Sequence, residues 1–382
     1  MRNFKEGTQT VKKLETTPHK TNRKHLDPRI ANLIKALCFL ALCTVLFLGL
    51  NLIYRMPYEK GSHMEETVQR YNALYKEKKN TWDGVILGTS ITDRGWAAPA
   101  AWHDHGFTIY PLSTDSQPIV LSANILDEVR KRQNIRLVVL ELHGITSSAL
   151  NAKEVSARRV TDNLHSTQAR IAACSHLFSF TNEHFGTESR LKDTDIWSMY
   201  FPFIKYHSRT DLTLEDLTSP TNEMMGVVTK KSLAFKSKPQ AYPDITDESV
   251  PLTKAQTDFL DEITNYADEN ALEILFLSIP SGHKQSAQKE VNGALDYVAQ
   301  KGYATLNMNT EEIYKEIGLD FSTDFYNKKH MNSMGAKKTT AYLSRYIAEH
   351  FDLEDKRGQE AYADWDKAYE LYADFYRTGW SE

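Results

Sequence analysis

Between Ala36 and Ile53 the chain reads ALCFLALCTVLFLGLNLI, eighteen residues without a charge. At 1.5 Å rise per residue this makes about 27 Å of helix, enough to cross the hydrocarbon layer of a bilayer. The run partitions the chain. Residues 1–35 carry nine Lys or Arg against three acidic residues, an excess that places the N-terminus on the cytoplasmic side. Arg55, Lys60 and Arg70 follow the run and oppose that bias. A buried core helix and a cleaved signal peptide are the competing readings. The run is longer than a signal-peptide core, and NLIYRMP offers no small-x-small cleavage site. The expectation is an uncleaved anchor over 36–54 that puts the bilayer in contact with the chain, with residues 55–382 extracytoplasmic.

Around that anchor the reading is a polar tail over 1–35, a charged, helix-prone stalk over 55–80, a large domain over 81–351 and a helical tail over 352–382. Short runs rich in Ile, Val and Leu stand at Asp83–Leu87, Phe107–Leu112, Leu137–Leu142, Ile274–Ile279 and Ala304–Met308. Uninterrupted apolar runs of this length fit strands buried on both faces of a parallel sheet. Helical patterns alternate with them at Val120–Gln133, Thr253–Asn270, Lys284–Lys301 and Gly335–Phe351. Alternating strand and helix predicts a doubly wound α/β fold. The aromatic stretch over 145–250 breaks the rhythm and reads as an insertion beside the sheet. Aromatics at helical spacing in YADWDKAYELYADFYRTGW predict a helix docked on the domain or, as the alternative, a partner-binding helix.

Gly88-Thr89-Ser90 directly follows the first strand run. Ligands of open α/β sheets bind beyond the carboxyl ends of the strands. Ser90 there presents its hydroxyl to a site, or it simply N-caps the next helix. His330 stands in a polar loop before the last helical pattern. A serine hydroxyl needs an adjacent base, usually histidine, to become a nucleophile; a solvated loop histidine is the plain alternative among thirteen in the chain.

Taken together, these residues resemble the SGNH (GDSL-type) hydrolase superfamily, with a serine in the first block and a histidine in the last. The stretches VILGTSITDRGW, PLSTDSQPI, LVVLELHG, YFPFIKYHSR and DFYNKKHMNSMGAKK look closest to membrane-anchored envelope members. Those are similar to the D-alanyl-lipoteichoic acid biosynthesis D protein and to alginate O-acetylation proteins. The resemblance spans roughly 81–350 and is loose between Gly144 and Met199. It implies a flavodoxin-like three-layer sandwich with a parallel sheet, behind one transmembrane helix. It further implies acyl-ester chemistry through Ser90 and His330 on a cell-envelope polysaccharide or teichoic acid. The implied partner is a multi-pass membrane O-acyltransferase.

The pattern is broken at Asn327, three residues before His330, where the superfamily carries Asp. An Asn can orient an imidazole but cannot stabilise its charge. Asp324, six residues before His330, is the other carboxylate at hand. A Ser–His dyad, a triad through Asp324 and a non-catalytic scaffold of a polymer-modifying complex all stay open. Thr89, Ser116 and Gln117 are candidates for the oxyanion and substrate side, against ordinary turn chemistry. Arg94 reads as an anion-binding residue or a surface arginine. His143 lies at another strand end, as a structural or substrate-lining residue. Lys205-Tyr206-His207-Ser208-Arg209 reads as a polymer groove or a solvated loop.

A net charge of −4 gives no basic face for nucleic acid. Of three cysteines only Cys174 lies outside the apolar run, so neither disulfides nor a thiolate metal site is expected. His103 and His105 flank Asp104 without further ligands, and no Gly-Lys-Ser/Thr follows Gly88. No cofactor and no metal are expected.

Overall fold

The computed structural model describes residues 27–227, 245–282 and 284–378. The chain divides into two units, Met1–Phe47 and Leu48–Glu382. The first holds most of a 26-residue helix, Pro28–Ile53. Leu37, Phe39, Leu40, Val45 and Leu46 stand exposed along it. Among the described residues it is the one helix long and apolar enough to cross a membrane, as a single-pass anchor or as a signal sequence. It begins eight residues before the uncharged run. Pro at the first helical position is pre-set for the helix, and the Asp27 carboxylate takes the free Arg29 N–H at 2.8 Å. The expected tail over 1–35 is thus helical from Pro28, and residues 1–26 lie outside the described residues.

The second unit is α/β, built on a five-stranded sheet that is parallel throughout. Its strands are β1 (Gly84–Leu87), β2 (Ile109–Pro111), β3 (Leu137–Glu141), β4 (Glu273–Ser278) and β5 (Ala304–Asn307), ordered β2-β1-β3-β4-β5. Every residue of β1, β2 and β3 is buried, as their unbroken apolar sequences require. Val85 pairs with Tyr110 on one side and Val138 on the other. The chain first runs outward from β1 to β2, then crosses to β3 and runs the opposite way. The order therefore reverses between β1 and β3, where the loops beyond the strand ends part and open a crevice.

Helices Ala98–His105, Ser333–His350 and Ala363–Thr378 pack on one another, and Ser122–Arg130, Lys254–Glu269 and Gln285–Gln300 form a second group. The expected helix over 120–133 starts as a 3-10 turn at Ile119–Leu121 and ends at Arg130. The C-terminal helix docks through Trp365, Ala368 and Tyr372, one face at helical spacing. Trp102 and Trp365 meet at 6.1 Å between ring centroids, and the Trp102 indole N–H donates to Asp366. Residues 379–382 lie outside the described residues. The insertion contributes helices Glu154–Thr161, Thr167–Phe185, Ile196–Tyr200, Pro202–Tyr206 and Leu214–Thr218; its residues 228–244 are likewise outside them.

The stalk expected over 55–80 is corrected. His63–Lys76 is a helix of the domain, with Val68, Tyr71 and Leu74 in the core. Its charges misled the reading because they find partners inside. Arg70, buried to 1%, pairs with Asp93 at 2.9 Å and donates through Nε to Ser113 O at 3.1 Å. Arg70→Ala leaves the Asp93 carboxylate buried beside fewer cations. Loss of one partner from a buried pair costs about 3–5 kcal/mol, to be read as a lower urea midpoint in equilibrium unfolding.

Candidate active site

The turn after β1 passes very close to the end of β3. A Cβ at Gly88 would lie 2.8 Å from Glu141 Cβ and 2.1 Å from Thr92 Oγ1, so only glycine fits. The chain then enters the short helix Ser90–Gly95. Thr89, not Ser90, is its N-cap, its hydroxyl accepting the Ile91 N–H at 3.4 Å. Ser90 is thereby freed from the capping role and half-exposed. Its N–H falls in the first turn, where amides lack intrahelical acceptors.

His330 is held by a small hairpin. Tyr326 N–H donates to His330 O at 3.1 Å and Asn332 N–H to Asp324 O at 2.8 Å, with Phe325 bridged to Met331. Asn332 then caps the helix Ser333–His350 by accepting from Met334 and Gly335. Asn327 sits in the hairpin turn, where its side-chain oxygen accepts the N–H groups of Lys329 at 2.9 Å and His330 at 3.0 Å. Asn is favoured in turns for this kind of bond.

The same oxygen lies 3.0 Å from His330 Nδ1, and Ser90 Oγ lies 2.8 Å from His330 Nε2. Two backbone donors aimed at one Asn327 atom require that atom to be the oxygen, because an amide nitrogen would repel them. An amide oxygen only accepts, so Nδ1 carries the proton and Nε2 is left to accept from the Ser90 hydroxyl. Burial, then the nearby positive Arg94, pull the His330 pKa down to about 4. The imidazole is neutral at pH 7 and able to take a proton.

Asp324 does not reach His330. It lies at the base of the hairpin, accepting from Asp320 N–H and Lys338 Nζ at 2.7 Å each. Arg94 is neither at the surface nor in the cavity. Only 2% exposed, it lies between Glu66 at 3.4 Å and Asp93 at 3.6 Å and donates to Tyr326 OH at 3.2 Å. Tyr326 stacks on His330 at 5.7 Å. Arg94 therefore stands behind His330.

Thr89, Ser90, Ser116, Gln117, His143 and His330 all line one cavity of about 690 Å³. Gln117 Oε1 takes the Tyr71 hydroxyl at 3.4 Å, which leaves Nε2 as a donor. Ser116 carries φ +52°, a left-handed conformation that costs a non-glycine residue roughly 1 kcal/mol. Its turn is clamped by Arg159, which donates to Asp115 O at 2.8 Å, and by Arg70 on Ser113.

Lys153, Arg190, Lys284 and Lys329 also border the cavity, and sequence reading missed all four. They come from four separate segments, so no local pattern could have announced them. Among the described lining residues the single acid, Glu290, is occupied by Ser147 and Gln256. Lys205 and Arg209 lie elsewhere, on Glu154 and Asp211. His103 pairs with Asp104 and stacks on Tyr369. Burial pushes the Cys174 thiol up to about 12, far from a reactive thiolate. Among the described residues one trio, Glu183, His184 and Asp258, brings ligand-type atoms within 4.8 Å, and Lys254 already pairs with that aspartate.

No protein-family model matches this chain, and no curated protein is found to be similar to it.

A base with a pKa near 4 is fully deprotonated above pH 5, so kcat/KM should stay level there and fall as His330 protonates near pH 4. Asn327→Asp keeps every acceptor contact and adds a negative charge beside Nδ1. The acidic limb should move upward by about 1–3 pH units. The rate at pH 8 should rise, by about tenfold for each unit that is expressed in the transition state. A pH–rate profile of both proteins on one acyl ester measures this, and an unshifted limb means His330 is not the titrating base.

Proposed function

We propose that this chain is a membrane-anchored SGNH-type enzyme of acyl-ester chemistry, an O-acyltransferase or esterase acting on a cell-envelope polymer. The observation that carries the reading is the Ser90 Oγ–His330 Nε2 contact of 2.8 Å, with the ring tautomer fixed by Asn327. The strand order 2-1-3-4-5 supports a flavodoxin-like three-layer sandwich, with Ser90 beside its switch point between β1 and β3.

In this reading Ser90 gives its proton to His330 Nε2 as Oγ attacks the acyl carbonyl. The Ser90 amide and Gln117 Nε2 supply hydrogen bonds to the oxyanion. The tetrahedral centre collapses, and the departing alkoxide takes the proton from His330. A polymer hydroxyl or water, deprotonated by His330, then resolves the acyl-Ser90 ester. Four cationic side chains around the cavity, against one acid that is already paired, favour an anionic polymer such as a teichoic acid. The domain is extracytoplasmic, with the N-terminus inside. A multi-pass membrane O-acyltransferase hands over the acyl group. The amide at Asn327 also suits a scaffold of such a complex, without turnover of its own.

Ser90→Ala and His330→Ala should each remove the same share of the turnover of an acyl ester, and the double variant no larger a share, because the two act as one device. Additive losses would break the pair as a catalytic unit. Absence of any turnover in the folded wild-type protein would favour the scaffold. An alkaline phosphatase fused after the last residue should be active, which only export of the domain allows; an inactive fusion would reverse the orientation.

A further inference from the structure

A second serine meets a second histidine beside the same cavity. Ser281 Oγ lies 3.0 Å from His143 Nε2, and His143 Nδ1 faces the Glu141 carboxylate. Glu141 ends β3, His143 stands in the 3-10 turn that follows, and Ser281 lies just beyond the end of β4. Since β3 and β4 are neighbours with Glu141 opposite Leu277, parallel pairing brings these loops together. Glu141 is fully buried. It also accepts the His143 N–H at 2.9 Å and faces the Thr92 hydroxyl at 3.5 Å. The same Glu141 oxygen already accepts the His143 N–H, so it is an acceptor, Nδ1 carries the proton and Nε2 accepts from Ser281. Nucleophile, base and orienting carboxylate follow one another in hydrogen-bonded order. This is the carboxylate that the His330 pair lacks.

The position of Ser281 is fixed from several sides. Its N–H donates to Asn309 Oδ1 at 3.0 Å, while Asn309 Nδ2 donates to Ile279 O at 2.7 Å. The next residue, Gly282, lies against the hairpin that carries His330. A Cβ there would come 1.6 Å from Lys328 O. The Ser281 loop thus packs on the Asn327 turn, and Gly88, before Ser90, packs on Glu141. His143 lines the cavity together with Ser90 and His330, and so does Lys284, three residues beyond Ser281.

We propose that Ser281, with His143 as base and Glu141 as the carboxylate behind it, is a second acylatable serine, buried beside the cavity and reached along the His143 wall. Its substrates are oxygen esters of small acyl groups. Ser281 gives its hydroxyl proton to His143 Nε2 as Oγ bonds to the acyl carbon. The ester C–O bond breaks, and the leaving alkoxide takes the proton from His143. Water or an acceptor alcohol, deprotonated by His143, reverses the sequence and frees Ser281. The proposal goes beyond the Ser90 reading and does not depend on it.

An alkyl fluorophosphonate applied to the full-length protein in detergent micelles, with the labelled peptides mapped by mass spectrometry, tests this. Ser281 should be labelled in the wild type and in Ser90→Ala. In the Ser90→Ala background, Glu141→Gln should slow Ser281 labelling by about 10⁴-fold, the scale for amide replacement of a triad carboxylate. Ser281→Ala in that background should abolish labelling. No label on Ser281 in Ser90→Ala with an unchanged circular dichroism spectrum overturns the proposal. So does a labelling rate indifferent to Glu141→Gln. The Ser90→Ala mapping alters nothing in the second constellation, so it decides the matter even where a buried Glu141 variant does not fold. Label on Ser281 alone upholds this inference and removes the Ser90 reading; label on Ser90 alone does the reverse.

Discussion

The parallel pairing of β1 with β3 is the constraint on which the rest of the molecule depends. Gly84–Leu87 lies in register with Leu137–Leu140, every residue buried, and the strand order reverses between these two strands. Their carboxyl ends therefore open side by side. One delivers the turn to Ser90, the other Glu141 and the turn to His143. The 63–76 helix secures this arrangement from outside the sheet, since Arg70 binds both Asp93 below Ser90 and the carbonyl of Ser113 before the Gln117 turn. A charged segment that reads as solvent-exposed is in this way part of the frame that positions the cavity.

The two histidines differ in what stands behind them. His330 is backed by an amide whose oxygen is shared among three N–H donors. The amide sets the tautomer but gives no charge, and with burial and Arg94 the ring becomes a weak base. His143 is backed by a carboxylate. A carboxylate stabilises the imidazolium that forms when the ring takes a proton, and an amide does not. The cavity is thus lined by a half-exposed serine whose histidine is backed by an amide, and beside it stands a buried serine whose histidine is backed by a carboxylate.

Much of the fold was legible because its signals are local. The five strands match the five apolar runs, with ends shifted by at most two residues, and the helices over 254–269, 285–300 and 333–350 match their periodic patterns closely. The misreadings have local causes as well. The 55–80 segment carries Arg70 and Glu66, whose partners Asp93 and Arg94 are met only after folding. The apolar helix starts early because Pro28 and Asp27 make a good helix start inside a polar sequence.

By itself the sequence determined the elements: an apolar helix of membrane-spanning length, a parallel α/β sheet, a serine after the first strand and a histidine before the helix at 333–350. Propensity, periodicity and turn chemistry act over a few residues, so they can be read along the chain. Which side chains meet was decided only by the tertiary structure. Asn327 and Asp324 stand three and six residues before His330, both within local reach, yet the hairpin turns one toward the ring and the other toward Lys338. Ser281 and His143 are 138 residues apart and share no motif. The four cations of the cavity come from as many segments. Contacts of this kind depend on strand order and loop packing, which bring distant parts of the chain to one point and leave no trace in local spacing.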